Sequence, residues 1–125
     1  MARPDTAALV AGGIRLASGL SFLVAPARAN RLWGDPEPPG TTSMLLLHSM
    51  GYRDVLIGGL LVGAAVRGRD TRGWFLASGG ADAADFLGGV RVHGDMTRSQ
   101  QAIGLGGAVV GIGVGLWGAT RRTGA

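Results

Sequence analysis

Four long stretches of the chain are almost unbroken by charge, and short polar segments punctuate them. They run from about residue 6 to 25, 42 to 66, 73 to 90 and 99 to 119. Each is close to the ~20 residues that carry a helix across ~30 Å of hydrocarbon at ~1.5 Å per residue. In the last, nothing from Ala102 to Ala119 is charged, whereas a helix on a soluble domain must present a polar outer face. Two-residue alternation is absent, which argues against a barrel. The pattern predicts an all-α integral membrane four-helix bundle, a single domain over residues 1–125 running up-down-up-down.

The breaks carry suitable chemistry. Asp5, after Pro4, can cap the first helix, and Pro26 closes it. The run from Gly34 to Gly40, which holds Pro36, Pro38 and Pro39, reads as a stiff turn. Between Ala27 and Trp33 the pattern suits a short interfacial helix with Leu32 and Trp33 toward lipid. Trp74 and Trp117 are expected at one membrane interface and Trp33 at the other. The side holding the termini and the second loop carries Arg3, Arg67, Arg69, Arg72, Arg121 and Arg122, against Arg28, Arg31, Arg91 and Arg98 opposite. That bias places both termini in the cytoplasm of a bacterial plasma membrane.

Composition narrows the classes. Charged residues make up 16% and hydrophobic ones 46%, whereas a soluble domain carries about a quarter of its residues as charges. All 12 basic residues are Arg, and the net charge is +4. The arginines form neither a run nor a stripe, so nucleic acid is not an expected partner. Without cysteine there is no disulfide or thiolate site, and no His/Asp spacing suggests a metal. No cofactor is expected.

Three local patterns are decoys. Ala27 to Ala29 resembles a signal-peptidase site, but Arg15 interrupts the apolar run before it, which favours a retained helix. Gly113, Gly115 and Gly118 match G-x-G-x-x-G, yet that motif needs a strand before it and a helix after it. Gly107, Gly111 and Gly115, spaced by four, form a smooth helix face, as do Gly59 and Gly63. Such faces pack helices within one chain or between the protomers of a homo-oligomer, and the residues leave both open.

Five charges interrupt the apolar stretches near their midpoints: Arg15, then Arg53 and Asp54, then Asp82 and Asp85. In an antiparallel bundle all five reach the bilayer midplane. Each costs about 2.5–3.5 kcal/mol there, so the set must face inward and pair. Asp82 and Asp85, at i and i+3, share a face. Arg53 and Asp54 point about 100° apart and can reach different helices. His48 and Tyr52 share another side of the same helix. The five charges sum to −1, so one proton held between Asp82 and Asp85 is expected. Such a pair can act as general acid and base. Asp82, Asp85 and Asp54 are therefore the candidate catalytic residues. Arg53, Arg15, His48 and Tyr52 are candidates for binding substrate or tuning pKa.

The pattern around Gly51, Tyr52, Arg53 and Asp54, with Gly58 after it, and Ala81 to Asp85 with its Asp-x-x-Asp, carry a resemblance. The chain resembles the small bacterial and fungal four-span membrane proteins catalogued as domain-of-unknown-function family 4267. The likeness extends over nearly the whole chain, including Arg15 and Pro26. It implies membrane location and little chemistry.

Three functions remain open on the residues. One is a membrane-embedded acid–base enzyme, of isomerase, cyclase or epoxide-opening type, acting on a lipophilic small molecule. Another is a non-catalytic accessory or ligand-binding membrane protein whose charges are a structural lock. The third is a proton-coupled transporter, which would need an oligomer. The expected partners are a lipophilic molecule and membrane lipid.

Overall fold

The computed structural model describes residues 5–32, 39–91 and 93–121. These residues form a long α1 (Thr6–Val24), a short α2 (Pro26–Leu32), α3 (Thr41–Val66), α4 (Arg72–Arg91) and α5 (Arg98–Thr120). A 3-10 turn covers His93–Asp95, and among the described residues there is no strand. The long helices coincide with the four apolar stretches. Three of them, α1, α3 and α5, are long and apolar enough to cross a membrane. The fourth, α4, is of similar length but carries Arg72, Asp82, Asp85 and Arg91. The expected interfacial helix is α2, with Leu32 exposed. Trp33 and most of the proline-rich turn lie outside the described residues.

Local chemistry sets the helix ends. Asp5 caps α1, its carboxylate accepting from the Ala8 amide at 3.1 Å. The helix stops at Val24 because the residue before a proline is driven out of the α region. Pro26 then opens α2, at a first-turn position where no amide is needed. The end of α3 is a Schellman turn. Gly68 takes φ +67°, and the amides of Gly68 and Arg69 return to the carbonyls of Ala65 and Ala64. Thr97 and Gln100 form a reciprocal capping box at the start of α5. Just inside it, Gln101–Leu105 widens to a π-helix, and Leu105 lies over Gly89 of α4.

The helices pack as two pairs, α1 with α3 and α4 with α5. Glycines seal the first. A Cβ built on Gly58 would stand 2.6 Å from the Gly12 carbonyl oxygen, and one on Gly19 would stand 2.6 Å from that of Gly51. Gly12 opposite Gly58 and Gly19 opposite Gly51 make the pair antiparallel, with backbones almost touching. In the second pair Gly115 meets Gly79, and the Phe75 ring fills the slot left by Gly118. Gly111 and Gly115 are therefore occupied within the chain, Gly111 by the Asp82 carboxylate. Gly107 is exposed.

Contact between the pairs is sparse. At the end near the N-terminus, Ala8, Leu61, Ala65 and Phe75 form a small apolar cluster that brings α1, α3 and α4 together, with Ala119 of α5 against it. Elsewhere the outer faces are apolar: Ile14, Leu45, Leu46, Leu87 and Val110 are exposed, while Asp54 is buried. A bundle with hydrocarbon outside and charge inside is suited to lipid as its solvent.

Candidate functional site

Arg15 lies at the middle of α1, Asp54 at the middle of α3 and Asp82 at the middle of α4. Aligned helices of similar length therefore bring the three together. Arg15 Nη1 donates to Asp54 Oδ1 at 2.8 Å, inside the first pair. Its Nη2 crosses to the second pair, donating to Asp82 Oδ2 and, at 3.3 Å, to the Ser78 carbonyl. One planar fork thus serves three acceptors on two helices, which a lysine ammonium could not do in the same geometry.

Arg53 extends the cluster outward. It grips both oxygens of Asp85, Nη1 to Oδ1 at 3.1 Å and Nη2 to Oδ2 at 3.0 Å. Its Nε and Nη2 also reach Asp54 Oδ1, each at 3.3 Å. Asp54 is thereby the shared acceptor that joins the two arginines. The side chains grade from enclosed to open: Arg15 and Asp54 are 11% exposed, Asp82 14%, Arg53 33% and Asp85 41%.

All five charges expected at the midplane are thus in one connected network. Arg53 reaches α4 while Asp54 faces α1, as adjacent positions about 100° apart allow, yet they also bond to each other. Asp82 and Asp85 do not share a hydrogen bond. Each acid has its own guanidinium, Arg15 for Asp82 and Arg53 for Asp85. His48 and Tyr52 are not brought to the network. Tyr52 is 63% exposed. His48 bonds through Nδ1 to the Met44 carbonyl of its own helix at 2.9 Å. It lines a cavity of about 440 Å3 with Met44 and Leu45 near the start of α3.

The residue pattern does not predict a second polar contact between the pairs. Thr71, buried ahead of α4, donates from Oγ1 to Asp5 Oδ2 at 2.6 Å. Arg121, just past α5, bonds the same carboxylate oxygen and the Thr71 hydroxyl. Its guanidinium lies 5.0 Å from the ring centres of both Phe75 and Trp117. Burial works against the charge of Asp5. The Thr71 hydroxyl, the Ala8 amide and Arg121 outweigh it and hold the carboxyl below its ordinary 3.8. A signal was available, since Asp5 and Arg121 bound helices whose ends fall on one side.

An apolar exterior around an interior ionic network defines a helical membrane protein. The chain belongs to the family described as Domain of unknown function (DUF4267), whose model matches residues 12–118. The whole Arg15–Asp54–Asp82–Arg53–Asp85 network lies inside the matched residues, whereas Asp5 and Arg121 lie outside them. No curated protein and no solved structure matches the chain.

Proposed function

We propose that the protein is a four-span membrane protein in which Arg15, Asp54 and Asp82 clasp two helix pairs together, while Arg53 and Asp85 bind the polar group of a lipophilic small molecule. One observation carries this reading: the gradient of exposure along a single network, from 11% at Arg15 to 41% at Asp85. Charges that only hold helices together are best enclosed, because each unshielded charge in hydrocarbon costs several kcal/mol, roughly 2.5–3.5 on an insertion scale. An open guanidinium–carboxylate pair at that depth is suited to a ligand that completes its desolvation. Arg53 offers donors to a carbonyl or anionic group, and Asp85 offers acceptors to a hydroxyl. The same pairing lowers the cost of placing α4 in lipid as the fourth span, giving an up-down-up-down bundle with α2 at its interface.

The test is small-molecule mass spectrometry on protein purified in mild detergent. Asp85→Asn is expected to accumulate normally and to lose a lipophilic compound that the native chain carries. Retention of that compound by this variant would sink the proposal.

The exposure of Asp85 also favours a second reading, the acid–base enzyme. In it Asp85 takes the proton, because Asp82 is enclosed against Gly111. Its mark would be a product that disappears in Asp85→Asn cells while the protein still binds the precursor.

A further inference from the structure

Where α3 turns into α4, a groove of about 230 Å3 opens on the outer surface. Gly59 and Gly63 lie along it, Trp74 stands beside it, and Arg67 and Arg69 line it where α3 ends. We propose that this groove binds an anionic phospholipid, its phosphate between the two arginines and its first methylenes along the glycines.

Three observations converge. The first is depth: Arg67 and Arg69 follow directly on the last turn of an apolar helix, where headgroups meet hydrocarbon, and an indole such as Trp74 is at home there. The second is unspent charge. Among the described residues neither Arg67 nor Arg69 has an ion-pair partner. The neighbouring Asp70 is held by Arg72, Nε at 3.0 and 3.1 Å and Nη2 at 2.7 Å from its oxygens. The Arg72 hydrogen bonds pull that carboxyl down to about 2, so Asp70 is already engaged. The third is an open floor. A Cβ on Gly59 or Gly63 meets nothing within 4 Å, although Gly51 and Gly58 on the same helix are packed against backbone.

A second copy of the chain is the competing occupant of such a face. Docking two copies on Gly59 and Gly63 would bring the Arg67 and Arg69 of both chains together at low dielectric, which like charges oppose. A phosphate neutralises the same arginines, each worth about fivefold in binding to an anionic surface. The inference does not depend on the role of Arg53 and Asp85.

Native mass spectrometry of the full chain in detergent tests it, with phosphatidylglycerol, phosphatidylcholine and inorganic phosphate as probes. The native chain is expected to retain phosphatidylglycerol preferentially. Arg67→Gln with Arg69→Gln should lose roughly thirtyfold of that preference. Gly59→Leu with Gly63→Leu should expel the lipid while leaving helicity and melting unchanged. Should the leucine pair fail to fold, the loop arginine pair decides alone. Equal retention of both lipids, retention of bare phosphate without lipid, or a dimer that the leucines dissolve would each overturn the proposal.

Discussion

The seam within each helix pair and the seam between the pairs are built from opposite materials. Between α1 and α3 there is no room for a methyl group at four glycines. Between the pairs, contact is sparse, and at mid-depth it consists of Arg15 and Arg53 reaching for acids on α4. In lipid, apolar surfaces gain nothing from leaving water, because they are already out of it. A van der Waals seam must then be tight to be worth anything, and a polar seam must be complete. The first demand selects glycine, and the second selects a branched donor that can serve several acceptors at once.

Breaking the polar seam should cost most. Arg15→Leu leaves Asp54 and Asp82 enclosed with less of their compensation, and loss of one buried partner costs about 3–5 kcal/mol. Unfolding by a denaturing detergent, followed by circular dichroism, would measure it. Arg15→Lys should recover only part, since a single ammonium nitrogen lacks the span by which Nη1 reaches Asp54 while Nη2 reaches Asp82 and the Ser78 carbonyl. A loss below ~1 kcal/mol for Arg15→Leu, the level of an exposed pair, would mean that the pairs are held by something else.

The glycine seam comes next. Gly58→Ala would put a Cβ 2.6 Å from both the Gly12 carbonyl oxygen and the Leu16 amide nitrogen. Both obstacles are backbone and cannot rotate away, so a loss of about 1–3 kcal/mol is expected. Gly59→Ala, one residue on and facing open space, should lose nothing and gain up to about 1 kcal/mol from helix propensity. Similar losses for both would show that the close approach of Gly58 to Gly12 and Leu16 does not govern these positions, and a gain for both would show that helix propensity does.

This contrast also explains what could be read from sequence. Charges at the midpoints of apolar stretches are legible because the cost of leaving them unpaired is large and the helix lengths align them. Which acid takes which arginine is not legible, since it depends on the rotation of each helix. That rotation is set by where glycines let backbones meet. By spacing alone Gly111 suits another protomer equally well, and it is the bed of the Asp82 carboxylate instead. Shared helix spacing alone makes His48 and Tyr52 candidate neighbours of the charges. Spacing groups residues on a face without saying which way that face turns. The Asp5–Thr71–Arg121 contact is not legible because none of the three interrupts an apolar run.

That end contact predicts a smaller, pH-dependent effect. Asp5→Asn keeps an oxygen for the Ala8 amide but removes the charge that Arg121 meets, for a loss of about 1 kcal/mol at neutral pH. Because the folded carboxyl sits below 3.8, its contribution is fully present above that value and is lost as pH falls through the folded pKa. The stability difference between the native chain and Asp5→Asn should therefore hold through neutral pH and close in acid. A difference that widened in acid would contradict the assignment of Asp5 as the charged partner.

The smallest loss is expected at the open rim of the polar seam. Asp85→Asn takes away one acid, but Arg53 keeps two contacts to Asp54 at 3.3 Å. The remaining Arg15, Arg53, Asp54 and Asp82 then sum to zero, where five charges summed to −1, and a neutral set is the easier one to hold in low dielectric. Stability should change by less than about 1 kcal/mol, in the same detergent titration that detects the loss of Arg15. The comparison between those two variants separates clasp from rim within one network. If Asp85→Asn destabilised the bundle as much as Arg15→Leu, the outer pair would be part of the clasp, and the case for a ligand at Arg53 and Asp85 would fall with it.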